Sequence, residues 1–211
     1  MKRNFLYKNK NIIIITGGRS GFAKHLIDIL KKRSYTVFSI KKVNFDLSKL
    51  NNFFRLIKVI KPIIFKKKVL FINNAFSLGQ LTKVGSMSNE NIIKTINLNF
   101  ITPFLFFNFL IKNAKNLGII NMTSGAAFTF NLRLSLYSVT KLAIHKLVNH
   151  IKKENLKKSY YLKNFNPGLM NTEMHRILKN KKILKNNSKI NNMENVLNRL
   201  IKIVDYYFKN D

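Results

Sequence analysis

Cysteine is absent from these 211 residues, which excludes a disulfide framework and thiolate chemistry and is consistent with a reducing, cytoplasmic setting. Long apolar runs are absent too. The longest, Phe104 to Ile111, is broken by Asn108 and follows Pro103, short of the roughly 20 residues that a bilayer span requires. Behind the basic start, Met1 to Lys10, the run Ile12 to Ile15 ends at Thr16-Gly17-Gly18, too short for a secretory signal. Acidic residues are scarce: 8 Asp and Glu face 39 Lys and Arg, a formal net charge of +31. Such a charge fits a polyanion-binding surface. It also fits the coding bias of an AT-rich genome, because Lys is scattered and outnumbers Arg, while Asn and Ile abound. Base-reading proteins lean instead on Arg forks in clustered elements. On the second reading the tracts Lys66 to Lys68 and Lys179 to Lys185 are solvated faces, and no specific nucleic-acid partner is expected.

What is present is enough for one domain over residues 1–211, since 46% of the residues are hydrophobic. Ile12 to Ile15 reads as a buried strand, followed by a glycine-rich turn and a helical pattern through Ala23, Leu26, Ile27 and Leu30. Further strands are expected at Tyr35 to Ile40, Val69 to Ile72, Leu117 to Met122 and Tyr160 to Asn164. Helices are expected around Asn89 to Lys115 and over Tyr137 to Lys153, and the Lys/Asn-rich stretch Lys179 to Asn192 is expected to be a mobile loop. Strands alternating with helices predict an α/β fold, a doubly wound parallel sheet of Rossmann type covered on both faces.

The turn Thr16-Gly-Gly-Arg-Ser-Gly-Phe-Ala23 sits where backbone N–H groups and a helix dipole can meet a pyrophosphate, though it also reads as a tight strand-to-helix connection. The second strand carries no acid at its end: Ile40 stands there, followed by Lys41 and Lys42. An acid would bind ribose hydroxyls and repel a 2′-phosphate, so NADP(H) is favoured over NAD(H). Tyr137 and Lys141 are four apart, which stacks them on one helix face. A phenol ionises near pH 10, and an adjacent ammonium would lower that value into a useful range. Alone, the pair also fits an ordinary amphipathic helix.

Together these stretches resemble the short-chain dehydrogenase/reductase family. The first turn matches its pattern except that Ala23 replaces the last glycine, and Ser20 stands where NADP-preferring members carry a basic residue, with Arg19 one place earlier. Asp46-Leu47 resembles the third-strand element that meets adenine, with a helix N-cap as the other reading of Asp46; the interval after Lys41 leaves no room for the usual helix. Asn73-Asn74-Ala75-Phe76 resembles the sequence bordering the cofactor, with Phe76 in place of glycine, where its ring would crowd the ribose. Pro167-Gly168, with Met170 and Thr172, resembles the loop that holds the nicotinamide carboxamide and also reads as a plain turn. Gly17, Gly21 and Phe22 fall on the first turn.

By this resemblance the reaction centre comprises Asn97, Ser124, Tyr137 and Lys141. Tyr137 is then the proton donor, Ser124 the group orienting the carbonyl oxygen, and Lys141 the residue that lowers the tyrosine pKa and binds ribose. Asn97 would hold a relay water. Shorter matches at Asn73 to Gly79, Thr123 to Ala127 and Pro167 to Met174 resemble the branch containing sepiapterin and benzil reductases. The implied function is NADP(H)-dependent reduction of a small carbonyl compound or oxidation of its alcohol. Alternatives are a 3-oxoacyl carrier-protein reductase and a cofactor- or polyanion-binding protein without turnover. Phe128, Phe130, Met174 and Ile177 are candidates for an apolar substrate pocket or for ordinary packing. Phe100 to Phe109 would supply a homodimer surface or face the sheet. The region after residue 177 is short for the family, with no final strand visible.

Overall fold

The four isoleucines of β1 (Asn11–Thr16) point alternately to opposite sides of a sheet, yet all are fully buried, so both faces of the sheet are covered. The structure, a computed structural model, describes residues 10–19, 21–65, 67–154, 160–184 and 188–209. Lys66 and Lys185 of the two basic tracts lie outside these residues. Beside β1 run β2 (Val37–Ile40), β3 (Lys68–Asn73), β4 (Asn116–Met122) and β5 (Tyr161–Phe165), in the order β2-β1-β3-β4-β5. Every pairing is parallel. The expected strands are therefore present, with β2 shortened at its start.

Helices α1 (Gly21–Lys32) and α7 (Met193–Lys209) cover one face, where Leu26, Leu30, Leu200 and Val204 meet Ile13, Ile15, Leu70 and Ile72. Helices α2 (Leu50–Ile64), α4 (Thr102–Asn113) and α5 (Ser135–Glu154) cover the other, where Phe53, Phe106, Phe107 and Ile144 meet Ile12, Ile14 and Phe71. The Phe71 ring stacks on Phe106 at 5.1 Å between centroids. Two phenylalanines of the segment Phe100 to Phe109 thus face the sheet, while Phe104 is exposed.

Helix α3 (Asn89–Ile96) continues through a π-turn, Asn97–Ile101, into α4. Over Asn89–Asn113 this run is long and apolar enough to cross a membrane by length and composition. In the fold Phe106, Phe107 and Leu110 on it pack against the sheet, the place of a core helix. A ladder of amides pins β3, β4 and β5 in register. Asn73 Nδ2 donates to Asn121 Oδ1 at 3.0 Å, and Asn121 Nδ2 donates to Asn164 Oδ1 at 2.7 Å. Because these amides satisfy one another inside the protein, burial costs them little and a register slip would orphan them.

The end of the chain differs from expectation. Helix α6 (Glu173–Asn180) enters the stretch expected to be a loop, and Asn191 pairs there with Met170. Although no final strand follows β5 among the described residues, α7 takes up the layer, burying Val196, Leu197, Leu200, Ile201 and Val204. Gly118 makes room for it, because a Cβ there would meet the Tyr207 ring at 2.8 Å.

Candidate active site

A cavity of about 1380 Å³ lies along the C-terminal ends of the strands. The chain leaves β1 in one direction to β2 and returns past it to β3, so this is a switch point of the doubly wound sheet. At the glycine-rich turn, Gly17 has φ +78° and its N–H donates to the Ile40 carbonyl at 3.0 Å. A Cβ on Gly17 would stand 3.1 Å from the Ala75 Cα, so glycine alone fits. Gly21, φ +57°, opens α1, and nothing lies within 4 Å of where its Cβ would be. That open space before the helix N–H groups fits a pyrophosphate. Arg19 and Phe22 line the cavity, whereas Thr16 does not: its Oγ1 accepts from the N–H groups of Asn74 and Ala75, both at 2.9 Å. Ser20 lies outside the described residues.

Beyond β2 the sheet ends. Asp46-Leu47 forms no strand, a correction to the third-strand expectation; the nine residues from Lys41 to Lys49 are a run of turns and loop before α2. Asp46 Oδ1 accepts from the Ser48 N–H at 3.0 Å and the Ser48 hydroxyl at 2.7 Å, and the N-cap of α2 is Lys49 rather than Asp46. Burial works to raise the Asp46 pKa, but these bonds, with Lys42 and Lys49 nearby, hold it below its ordinary value. Asp46 and Leu47 still line the cavity, together with Ile40, Arg19, His25 and Lys42. Lys41 is exposed off the wall, so Lys42 replaces it as the basic residue facing the cavity.

At the other end three expected residues converge. Ser124 follows β4, with its hydroxyl accepting from the Ala126 N–H at 3.2 Å; Tyr137 and Lys141 project from α5 onto the same cavity wall. Tyr137 is 6% exposed and Lys141 3%. Burial raises the Tyr137 pKa, and a hydrogen bond with the Ser124 side chain works against the rise. The expectation that Lys141 lowers this pKa is not met in this arrangement. Its ammonium donates to the Met122 carbonyl at 2.6 Å and lies 2.8 Å from the centre of the Phe76 ring, against 5.7 Å from the Tyr137 ring. Burial holds the Lys141 pKa well below its ordinary value.

Asn97 is turned elsewhere. Its amide donates to the Ser48 carbonyl at 3.2 Å, and it is not on the cavity wall. Two residues on, fully buried Asn99 donates to the Ser77 carbonyl at 2.9 Å and to Thr140 Oγ1 at 3.0 Å, and accepts from the Ser77 N–H at 2.9 Å. It thereby clamps the loop after β3 to the helix carrying Tyr137 and Lys141. Asn99 lies within the π-turn, a feature concentrated at functional sites, where the Thr102 N–H donates five residues back to the Asn97 carbonyl. The amide Asn73 belongs to the sheet ladder and not to the cavity wall, while Asn74 and Ala75 line it.

Pro167, Gly168, Met170 and Thr172 also line the cavity. Asn191 Nδ2 braces this loop by donating to the Pro167 carbonyl at 2.8 Å, and Thr172 caps α6 by accepting from the His175 N–H at 3.4 Å. Met174 and Ile177 on α6 face the cavity. Phe128 and Phe130 do not: Phe130 is fully exposed, and Phe128 meets the His145 ring edge-on at 4.9 Å.

A doubly wound parallel sheet with a glycine turn and a Ser-Tyr-Lys cluster at its switch point defines a dinucleotide-dependent class of fold. The chain belongs to the short chain dehydrogenase family, whose model matches residues 38–183, and it is an oxidoreductase of that family. Among curated relatives, a benzil reductase ((S)-benzoin forming) of Bacillus cereus is 25% identical over 191 residues, 77% of this chain and 76% of the relative. Among solved structures, a 4-hydroxyisoleucine dehydrogenase complexed with NADH superposes with a TM-score of 0.79 at 19% identity, covering 95% of this chain and 93% of that one. A short-chain dehydrogenase of Sphingobium yanoikuyae in complex with NADPH gives 0.72 at 15% identity, covering 93% and 85%. Of these two solved structures, the first holds NADH and the second NADPH.

Proposed function

We propose that this protein is a carbonyl reductase, or the corresponding alcohol dehydrogenase, that uses NADP(H) and a tyrosine proton donor. The observation that carries the reading is the convergence of Ser124, Tyr137 and Lys141 on one wall of a cavity that continues to the glycine turn. A bound nicotinamide would supply or accept the hydride. The Tyr137 hydroxyl donates the proton to the carbonyl oxygen, and the Ser124 hydroxyl hydrogen-bonds that oxygen and orients it. Lys141 binds the ribose hydroxyls and, once there, favours the phenolate form of Tyr137. Asn99, rather than Asn97, takes the part of the helix asparagine: its side chain fixes the loop after β3 against the helix that carries Tyr137 and Lys141.

The preference for NADP(H) is supported by the wall near β2, which presents Arg19, His25 and Lys42 and carries no acid at the end of that strand. Apolar Met174 and Ile177, with Leu78 and Leu134, favour a hydrophobic carbonyl substrate. The test is oxidation of NADPH, then of NADH, over a panel of aromatic diketones, aldehydes and acetoacetyl thioesters, with Tyr137→Phe as the control. Turnover of a diketone with NADPH, absent in the variant, supports the reading. Absence of turnover and of dinucleotide binding alike would reject it.

A further inference from the structure

Phe76 occupies the place where the resembling sequence has glycine, and the fold gives its ring an unusual set of neighbours. It packs against all three apolar clusters of the protein, those on the two sheet faces and the small one formed by Leu78, Leu134, Tyr137 and Leu178. It also lines the cavity directly after Asn74 and Ala75. Its ring centre stands 2.8 Å from the Lys141 Nζ, and that ammonium donates to the Met122 carbonyl at 2.6 Å. A desolvated ammonium held between a carbonyl and an aromatic face is in a seat made by the protein, since the ring quadrupole attracts the cation more strongly out of water than in it. A glycine in place of Phe76 would offer neither the face nor the bulk.

We infer that Phe76 is a positioning residue for Lys141: its ring and the Met122 carbonyl hold the ammonium until the vicinal hydroxyls of a dinucleotide ribose displace the ring and draw Lys141 towards Tyr137. The inference rests on the functional reading above and adds a coupling between dinucleotide binding and activation of the proton donor. Two physical contributions separate. The bulk of the ring occupies space beside the ribose and weakens binding. The face of the ring retains the cation and delays its action on the phenol.

The experiment measures dinucleotide affinity by the fluorescence of bound NADPH, which is undisturbed by tryptophan because the chain has none. It also measures the pH profile of kcat/KM for wild type, Phe76→Gly and Phe76→Leu. If the ring leaves only about a tenth of the molecules competent to bind, Phe76→Gly tightens the Kd about tenfold. The same variant moves the tyrosine limb of the profile to lower pH. Phe76→Leu, which retains the apolar bulk and protects the fold, keeps the weaker affinity and moves the pH limb alone. Unchanged Kd and unchanged limb in both variants, in a protein that binds NADPH and turns over, overturn the role of Phe76 and leave the enzyme reading intact. If neither wild type nor variants bind either dinucleotide, the functional reading fails and this inference falls with it.

Discussion

The two ends of the cavity are held in different ways. At the α5 end, Tyr137 and Lys141 are almost wholly buried, Asn99 ties their helix to the loop after β3, and the amide ladder fixes the strands beneath. At the β2 end the sheet has run out, and Lys42 stands exposed on a turn that is tied down further along, where Asp46 accepts from Ser48 and the Leu47 carbonyl accepts from Thr102 Oγ1 at 2.8 Å. Buried hydrogen-bonded groups are fixed by the cost of leaving any of them unpaired, whereas exposed charges on a turn are solvated and adjust cheaply. The contrast teaches that the end carrying Tyr137 and Lys141 is rigid by construction, and that the groups proposed to select between dinucleotides stand where substitutions cost the fold least.

The sharpest test of the rigid end is Tyr137→Phe. If Tyr137 is the proton donor as proposed, its loss lowers kcat/KM by roughly 10²–10⁴-fold, the usual worth of general acid catalysis. NADPH affinity by fluorescence titration stays within about twofold, because the ring and its packing remain. A comparable loss of binding would show that Tyr137 serves mainly as part of the wall.

Next in size is a contrast between two asparagines. Asn99→Ala removes three hydrogen bonds and leaves the Ser77 N–H and carbonyl without their side-chain partner, while Thr140 keeps its bonds to the Leu136 and Tyr137 carbonyls, so urea denaturation should show a loss of about 2–3 kcal/mol. Asn97→Ala removes one bond at the cavity's outside and stays within about 1 kcal/mol. Equal costs would break the assignment of the structural clamp to Asn99.

At the adjustable end, Lys42→Ala weakens NADPH binding about tenfold, the scale of a lost charge-assisted contact, with little change for NADH. The variant's melting temperature is unchanged, since the residue is solvated on a turn. Parallel losses for both dinucleotides would place Lys42 on a shared group rather than on a 2′-phosphate.

The smallest effect concerns stability against pH. Burial holds the Lys141 pKa well below its ordinary 10.5, so between the folded value and 10.5 the unfolded chain binds more protons than the folded one. Stability contributed by this group therefore rises with pH across that window, and the burial cost is fully present below it. Lys141→Met removes that slope and raises the melting temperature at neutral pH by a few degrees, about 2–4 °C per kcal/mol relieved, while turnover is lost. A fall in melting temperature would mean that the Met122 carbonyl depends on its bond to Lys141 more than the lysine costs in burial.

Much of this is legible in the sequence. Strands stood out because buried β-branched runs such as Ile12 to Ile15 have few competing readings, and α5 stood out by its apolar periodicity. Helices α2 and α7 were missed, although Phe53, Leu56, Ile60 and Ile63, and Leu197, Leu200, Ile201 and Val204, recur at helical spacing. Asn97 was preferred to Asn99 because the local string Ile-Asn-Leu matched. The π-turn shifts the helical phase at this point, and with it which asparagine faces α5.

The sequence by itself determined the class of fold and the order of its strands, because hydrophobic periodicity is a local property of the chain, and its resemblance to a known family singled out Ser124, Tyr137 and Lys141. Only the tertiary structure decided that Asn73 serves the sheet, that Lys42 and not Lys41 faces the cavity, and that the Lys141 ammonium rests on Phe76. Those outcomes depend on which side chains from distant segments compete for the same buried partners, and the sequence does not encode that competition in any short stretch.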